Sequence, residues 1–196
     1  TLLLVFHSMD DQHPGGSKRI TKTADLKGLR LRPSGAEYAE LAAAFGATPV
    51  TMPVTEVYMA GQKGLLDGLF AMGIEGGYRG LGYYEVFKYI VDFSMGSGDM
   101  SVYVSKKHFD ALPADVKVIL LEEAARLERG NWLKAREVVA EGRKFLLAKG
   151  NEIVTPTEEL KVELRRQAKV VIDKWAADGG ATTVEALKKV RAVLYK

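Results

Sequence analysis

One arginine stands where an acid-binding group is expected. Arg32 ends a short segment, residues 29–32, that predicts a strand, and a helix is predicted to begin a few residues later. Ligands of open α/β sheets bind beyond the carboxyl ends of the strands, close to helix N-termini with free N–H groups. A guanidinium group forms paired hydrogen bonds with a carboxylate. Arg32 is therefore a candidate carboxylate-binding residue, and the alternative is a surface arginine or an ion pair within its own lobe.

Two histidines and two carboxylates lie within residues 7–13, which read HSMDDQH. Such side chains can bind a metal ion, but this spacing matches no rigid set of ligands. A solvated loop is the simpler interpretation. His108, the only other histidine, is predicted on a short helix and has a structural role in this interpretation.

The glycine-rich stretch around residues 73–82 offers no nucleotide-binding motif. It contains GYRGLG, which is neither a dinucleotide fingerprint nor a P-loop. We interpret it as a flexible crossing or cleft loop. The chain also lacks Gly-x-Ser-x-Gly and an apolar-flanked acidic pair, so no catalytic set is assigned and the protein is not predicted to be an enzyme.

Short strands and helices alternate in the first half of the chain. Strands are predicted at residues 2–6, 29–32, 48–52, 89–93 and 100–105, and a short one within 65–72, with residues 7–17 as a loop broken at Pro14-Gly15-Gly16. Helices are predicted at residues 36–45, 55–63 with Thr55 as the cap, and 83–88. This alternation is typical of an α/β sheet.

The second half is predicted to be largely helical. No strong helix breaker occurs between Pro113 and Gly150. A helix of that length measures roughly 54 Å, more than the width of about 30 Å of a small domain. It must therefore span two lobes or fold into a hairpin, with Gly130 and Gly142 as possible breaks. A brief strand at residues 153–154, a helix capped by Thr157 and a last helix starting near Thr182 complete the prediction.

Composition excludes several classes. The 196 residues carry 28 basic and 25 acidic side chains, and a net charge of +3 gives little support for a nucleic-acid partner. With no cysteine, disulfide scaffolds and thiolate chemistry are excluded. No apolar run approaches the roughly 18 residues of a membrane helix. Because the chain starts at Thr1 without methionine, we expect that an upstream segment was removed.

An ordered set of motifs resembles the extracytoplasmic solute receptors of TRAP transporters, the DctP family. The matching segments span about residues 18–155 and read DLKGLRLR, GATPVTMP, EVY, GLLDG, YEV, KY, VS and LP. The resemblance implies a two-lobed α/β fold of the periplasmic-binding-protein type, with a long helix across both lobes. It implies a periplasmic protein that binds a small carboxylic acid and delivers it to a membrane permease, and it assigns no cofactor.

The resemblance also implies ligand contacts. Arg32 occupies the position of the family's ligand-pairing arginine, and Val54 that of a pocket residue before the EVY motif, which begins at Glu56. The stretch Leu69-Phe70-Ala71 lacks the asparagine that often touches ligand in the family. The implied contacts are therefore Arg32, Val54, Glu56, Phe70, Ala71, Gln12, His13 and Asp99.

The family's N-terminal segment, which forms most of the first lobe, has no counterpart in this chain. We expect residues 1–94 to form the second lobe, 95–112 a return strand and helix of the first, 113–150 the spanning helix, and 151–196 a C-terminal strand and helices. An exposed cleft wall favours self-association, so a homodimer or a domain swap is predicted. Two other hypotheses remain. One is a metal-dependent enzyme acting on an acidic metabolite, with residues 7–13 as the metal site, and the other is a truncated interaction module without ligand binding.

Overall fold

A computed structural model describes residues 1–194, without the side chains of residues 7–9 and 194. Seven strands form the sheet: β1 (Leu2–Gly16), β2 (Arg30–Pro33), β3 (Thr48–Pro49), β4 (Gly68–Gly73), β5 (Tyr89–Val91), β6 (Ser97–Val104) and β7 (Glu152–Val154). The α-helices are α1 (Ala36–Ala44), α2 (Val54–Gln62), α3 (Lys106–Asp110), α4 (Ala114–Ala148), α5 (Glu158–Asp178) and α6 (Ala181–Leu194). The α/β class predicted from the alternating pattern is confirmed.

The strand order places one antiparallel strand inside an otherwise parallel sheet. The order is β3-β2-β4-β1-β5-β7, with β6 paired to the first part of β1. Strand β2 is parallel to β3 and β4, and β5 is parallel to β7, whereas β1 is antiparallel to β4, β5 and β6. The carboxyl ends of β2, β3, β4, β5 and β7 therefore share one edge of the sheet, and β1 enters the sheet at that same edge.

Strand β1 is longer than predicted. Residues 7–17 were expected to be a loop, yet one strand runs from Leu2 to Gly16. Its first part forms a two-stranded ribbon with β6, and its last part lies between β4 and β5. The supposed breaker sits at a register shift between His13 and Gly15. A Cβ on Gly15 would lie 2.3 Å from the Tyr78 hydroxyl and 2.5 Å from the Tyr89 carbonyl of β5, so glycine here permits close packing within the sheet rather than a turn.

Smaller corrections concern caps and turns. Helix α2 is preceded by Pro53 and not capped by Thr55. The predicted helix at 83–88 is a short 3-10 turn, Tyr83–Glu85, and β3 keeps two of the five residues expected. The glycine-rich stretch is not a flexible loop at its start, because Ile74–Arg79 forms a π-helical turn.

Helix α4 is one continuous helix of 35 residues, about 52 Å long. It begins after Pro113 and ends before Gly150, whose φ is +78°. It does not break at Gly130 or Gly142. Gly142 instead allows α4 to pack against the π-helical turn, since a Cβ there would lie 2.8 Å from a carboxylate oxygen of Glu75. The hairpin alternative is therefore wrong.

Two apolar cores cover the two faces of the sheet. One includes Leu31 and Phe70 of the sheet and Leu164 of α5; the other includes Val57 of α2 and Leu146 of α4. Within residues 1–194, no helix has the length and apolar character needed to cross a membrane. The division into lobes at residues 94, 112 and 150 stays a prediction, although β7 joins the same sheet as β5.

Candidate functional site

The candidate site lies at the shared edge of the sheet, which we call the carboxyl edge. It comprises the ends of β2 and β4 and the point where β1 enters, at residues 10–12. In an α/β sheet this is where ligands bind. From the strand pairing, the Cα atoms of Arg32 and Gln12 lie roughly 16 Å apart, two strands and four residues away from each other. Their two side chains and a small ligand can bridge that gap.

Arg32 carries an uncompensated charge. Its Nε donates one long hydrogen bond, 3.5 Å, to the carbonyl of Met52. No carboxylate pairs with it among the residues that the structure describes. Arg30, two residues earlier, differs: its Nε and its second terminal nitrogen each donate to the Asp67 carboxylate at 2.9 Å. Arg30 is thus satisfied within the fold, whereas Arg32 has a free guanidinium fork.

The corner at residues 52–54 leads into α2 beside Arg32. Val54 is exposed there, and the Tyr83 hydroxyl donates to its carbonyl at 2.7 Å. Burial raises the pKa of Tyr83, and the charge of Arg32 opposes that rise. Glu56 is exposed on the first turn of α2. The structure therefore brings Arg32 and Val54 together, with Tyr83, a residue that the motif comparison did not select.

The end of β4 adds a strained residue. Phe70 is completely buried in the core, so its side chain does not face the edge. Ala71 is also completely buried, and its φ of +71° is rare for a residue with a side chain. The Ser34 hydroxyl donates to the Ala71 carbonyl. Ser34 and Ala71 thus join the ends of β2 and β4 at the carboxyl edge.

Gln12 and His13 differ in exposure. Gln12 pairs with Gly73 at the end of β4 and donates from Nε2 to the Asp10 carbonyl at 3.1 Å. His13 is almost completely buried, with Nδ1 3.1 Å from the Val91 carbonyl. Burial lowers the pKa of His13, so its ring is neutral at neutral pH. Gln12 lies at the edge, whereas His13 is part of the sheet interior.

Asp10, one of the two carboxylates of the possible metal site at residues 7–13, is buried, which the sequence patterns did not predict. One of its carboxylate oxygens accepts the backbone N–H of Glu75 at the start of the π-helical turn, and the other is buried without a partner. Burial raises the pKa of Asp10. Its position next to acidic Asp11 gave the appearance of a solvated loop. Asp99 lies apart on the ribbon, exposed on β6 and paired with Ser8 of β1.

Among the described residues, no group of three or more acidic or histidine side chains could hold a metal ion. The side chain of His7, one member of the predicted set, lies outside the description. His13 and Asp10 are turned toward the sheet and the π-helical turn instead. His108 lies on α3 and is exposed.

An α/β sheet with one antiparallel strand and an arginine at its carboxyl edge is an arrangement typical of proteins that bind small molecules. The chain belongs to the bacterial extracellular solute-binding proteins of family 7, the DctP family, whose profile matches residues 2–178. This confirms the resemblance found in the motifs.

Relatives agree in sequence and fold. The C4-dicarboxylate-binding periplasmic protein DctP of Rhodobacter capsulatus is 30% identical over 187 residues, covering 88% of this chain and 52% of that protein. The Bordetella pertussis receptor DctP7, which binds pyroglutamic acid, superposes with a TM-score of 0.89 at 26% identity, covering 97% of this chain and 62% of that one. A TRAP periplasmic solute-binding protein of Haemophilus influenzae with bound L-gulonate gives a TM-score of 0.87 at 26% identity, with the same coverage. The chain thus spans about half the length of its curated relatives.

Proposed function

We propose that this chain is the solute-binding part of a TRAP-type receptor and binds a small organic acid through Arg32. The observation that carries the proposal is the unpaired guanidinium of Arg32 at the carboxyl edge. A partly buried arginine without an acid is costly unless a ligand supplies the negative charge. Val54 contributes apolar surface beside it, and Gln12 lies across the edge.

The relatives support an organic acid as the ligand class. The three relatives reported above are described as binding a C4-dicarboxylate, pyroglutamic acid and L-gulonate. Each of these ligands contains a carboxylate, which the fork of an arginine recognises. We further propose that the protein acts outside the cytoplasm, releases its ligand to a membrane permease and performs no chemistry on it. Glu56, Ala71 and Asp99 stay candidate contacts, and the buried side chains of Phe70 and His13 would act only from within the fold.

The first test replaces Arg32. In a thermal-shift screen of dicarboxylates, 2-oxo and 2-hydroxy acids, sugar acids, aromatic acids and pyroglutamate, a ligand at 100 times its dissociation constant stabilises by about 2.7 kcal/mol. We expect Arg32→Ala to lower the affinity of a hit by about 2–5 kcal/mol, because the ligand carboxylate loses its partner. Arg32→Lys should also bind more weakly, since an ammonium group cannot form the fork.

The matched control is Arg126→Ala. This change removes the same charge from α4, where the Arg126 side chain is 76% exposed and, among the residues that the structure describes, pairs only with Glu123. Wild-type affinity in both Arg32 variants would refute the site. If no acid stabilises the chain, the screen is repeated with the upstream coding region added. If neither the chain nor its extended form is stabilised by an acid, ligand binding is refuted and the hypothesis of an interaction module is favoured. Metal bound in stoichiometric amount would favour the hypothesis of a metal-dependent enzyme.

We also propose that the chain self-associates. The ribbon of β1 and β6 and helix α4 expose large apolar side chains, which we call the apolar ribbon set: Leu3, Phe6, Met100, Val102, Tyr103, Val118, Ile119, Leu127, Trp132 and Leu133. So much exposed apolar surface favours burial against another surface. A second copy of the chain, as a homodimer or by a domain swap, can supply it.

A further inference from the structure

Two side chains hold the corner at residues 52–54 by its carbonyl groups. The Tyr83 hydroxyl donates to the Val54 carbonyl at 2.7 Å, which is a strong hydrogen-bond distance. Arg32 donates from Nε to the Met52 carbonyl at the long distance of 3.5 Å. The firm contact is therefore made by Tyr83, and the weak contact by the arginine. The position of the corner decides where the Met52 carbonyl stands relative to Arg32.

Packing of its ring fixes the position of the Tyr83 hydroxyl. Its ring is almost completely buried in the core with Val57 and Phe87. Helix α2 also packs closely on the segment that follows Tyr83: a Cβ on Gly61 would lie 2.6 Å from the ring of Phe87. Because the packed core already restricts this side chain, little further conformational entropy is lost when its hydroxyl donates a hydrogen bond. Tyr83 therefore anchors the corner to the rigid part of the lobe.

Arg32 needs such an anchor. An arginine side chain has about 2 kcal/mol of rotamer entropy, and an ion pair normally restricts it. Arg30 has that restriction from Asp67, whereas Arg32 has only the Met52 carbonyl among the described residues. Orientation of the free guanidinium thus depends on the corner.

We propose that Tyr83 is a positioning residue for ligand binding: its hydroxyl fixes the corner, and the Met52 carbonyl then orients the guanidinium of Arg32 toward the carboxylate of the ligand. The inference rests on the proposed function. Burial keeps the hydroxyl protonated, because it raises the pKa of Tyr83. The opposing effect of Arg32 on that pKa is a second sign that the two side chains are neighbours.

The direct experiment observes Arg32 without any ligand. Arginine Nε–H signals are recorded by ¹⁵N NMR, and Arg32→Lys identifies the signal of Arg32 by its loss. We expect Tyr83→Phe to shift and broaden this signal, because the corner loosens while the ring stays packed. The matched control is Tyr84→Phe, which removes a neighbouring hydroxyl that donates to the exposed Glu85 at 3.2 Å. An Arg32 signal in Tyr83→Phe identical to that of wild type would overturn the proposal.

The second arm measures affinity for L-pyroglutamate by calorimetry. Loss of one neutral hydrogen bond predicts a weakening of about 3- to 10-fold for Tyr83→Phe in the wild-type background. In the Arg32→Lys background the same change should cost less than about twofold, because the guanidinium that it positions is gone. Equal losses in both backgrounds would overturn the proposal and leave only a structural role. If wild type does not bind this probe while other acids do, the best of those acids replaces it. If no acid binds, the proposed function fails, and the NMR arm still decides whether Tyr83 orders Arg32.

Discussion

Ala71 has a backbone conformation that few residues with a side chain adopt. Its φ is +71°, and the Ser34 hydroxyl holds its carbonyl at the carboxyl edge. The left-handed conformation costs an L-residue roughly 1–2 kcal/mol. Such strain is typical of ligand sites, where the surrounding structure maintains it. At Ala71, near the end of β4, the fold therefore maintains an unfavourable backbone conformation at the expense of stability.

We predict that Ala71→Gly destabilises the protein less than Ala42→Gly, by about 1–2 kcal/mol. Both alanines are completely buried, so both changes remove the same methyl group. Ala42 lies in helix α1, where glycine is unfavourable, whereas glycine accepts the φ of residue 71 without strain. Urea denaturation at neutral pH measures both variants. Equal losses would contradict the assignment of strain to Ala71.

Arg30 and Arg32 show what the sequence can predict about single residues. They lie two apart on one strand, so they point to the same face of the sheet. The position of Arg32 at a strand end followed from local patterns. The ion pair of Arg30 with Asp67 did not, because the partner lies 37 residues away. The burial of Asp10 was missed for a related reason: the backbone N–H that it accepts belongs to Glu75, which is 65 residues distant.

At the scale of elements, long helices were easier to predict than strands. Helix α4 was found nearly to the residue, because proline and glycine mark its ends locally. Strand β1 was divided into a strand and a loop, because its polar and glycine-rich half is stabilised by pairing with β4 and β5 and not by its own composition. Local signals do not contain such pairing partners.

The link between β2 and β4 leads to a prediction at this scale. Asp67 accepts hydrogen bonds from the backbone and side chain of Arg30. We expect Asp67→Asn to lower the free energy of unfolding by about 1.5–3 kcal/mol at pH 7, because hydrogen bonds to a charged group are lost. The exposed pair of Glu123 and Arg126 is the control, and Glu123→Gln should cost less than about 1 kcal/mol.

The pH dependence of this stabilisation has a defined sign. The hydrogen bonds from Arg30 lower the pKa of Asp67 below its ordinary value of 3.8. The stabilisation is therefore present above about pH 4 and is lost as the pH falls through the lowered pKa. Thermal denaturation should show the gap between wild type and Asp67→Asn shrinking in acid. A gap independent of pH would mean that the carboxylate charge does not matter.

At the scale of the whole molecule, the apolar ribbon set predicts association. In this set, Tyr103 is 61% exposed and Leu133 78% exposed. We expect light scattering to give a mass above that of a single chain at high concentration. Replacing both Val102 and Tyr103 by lysine should restore the monomer, whereas the same double change at Val162 and Val170, which are equally exposed on α5, should not. A clean monomer for wild type at high concentration would refute self-association.

Strand β7 has a consequence for the order in which the protein folds. It pairs with β5, yet Tyr89 and its partner Glu152 are separated by the whole of α4. Buried Asn151 fastens this late strand by donating to the carbonyls of Tyr84 and Phe87, each at 3.0 Å. Contacts between such distant residues form slowly. During synthesis, the apolar strand β5 therefore has one unpaired edge until residue 154 has emerged. In that interval the nascent chain is exposed to misassembly.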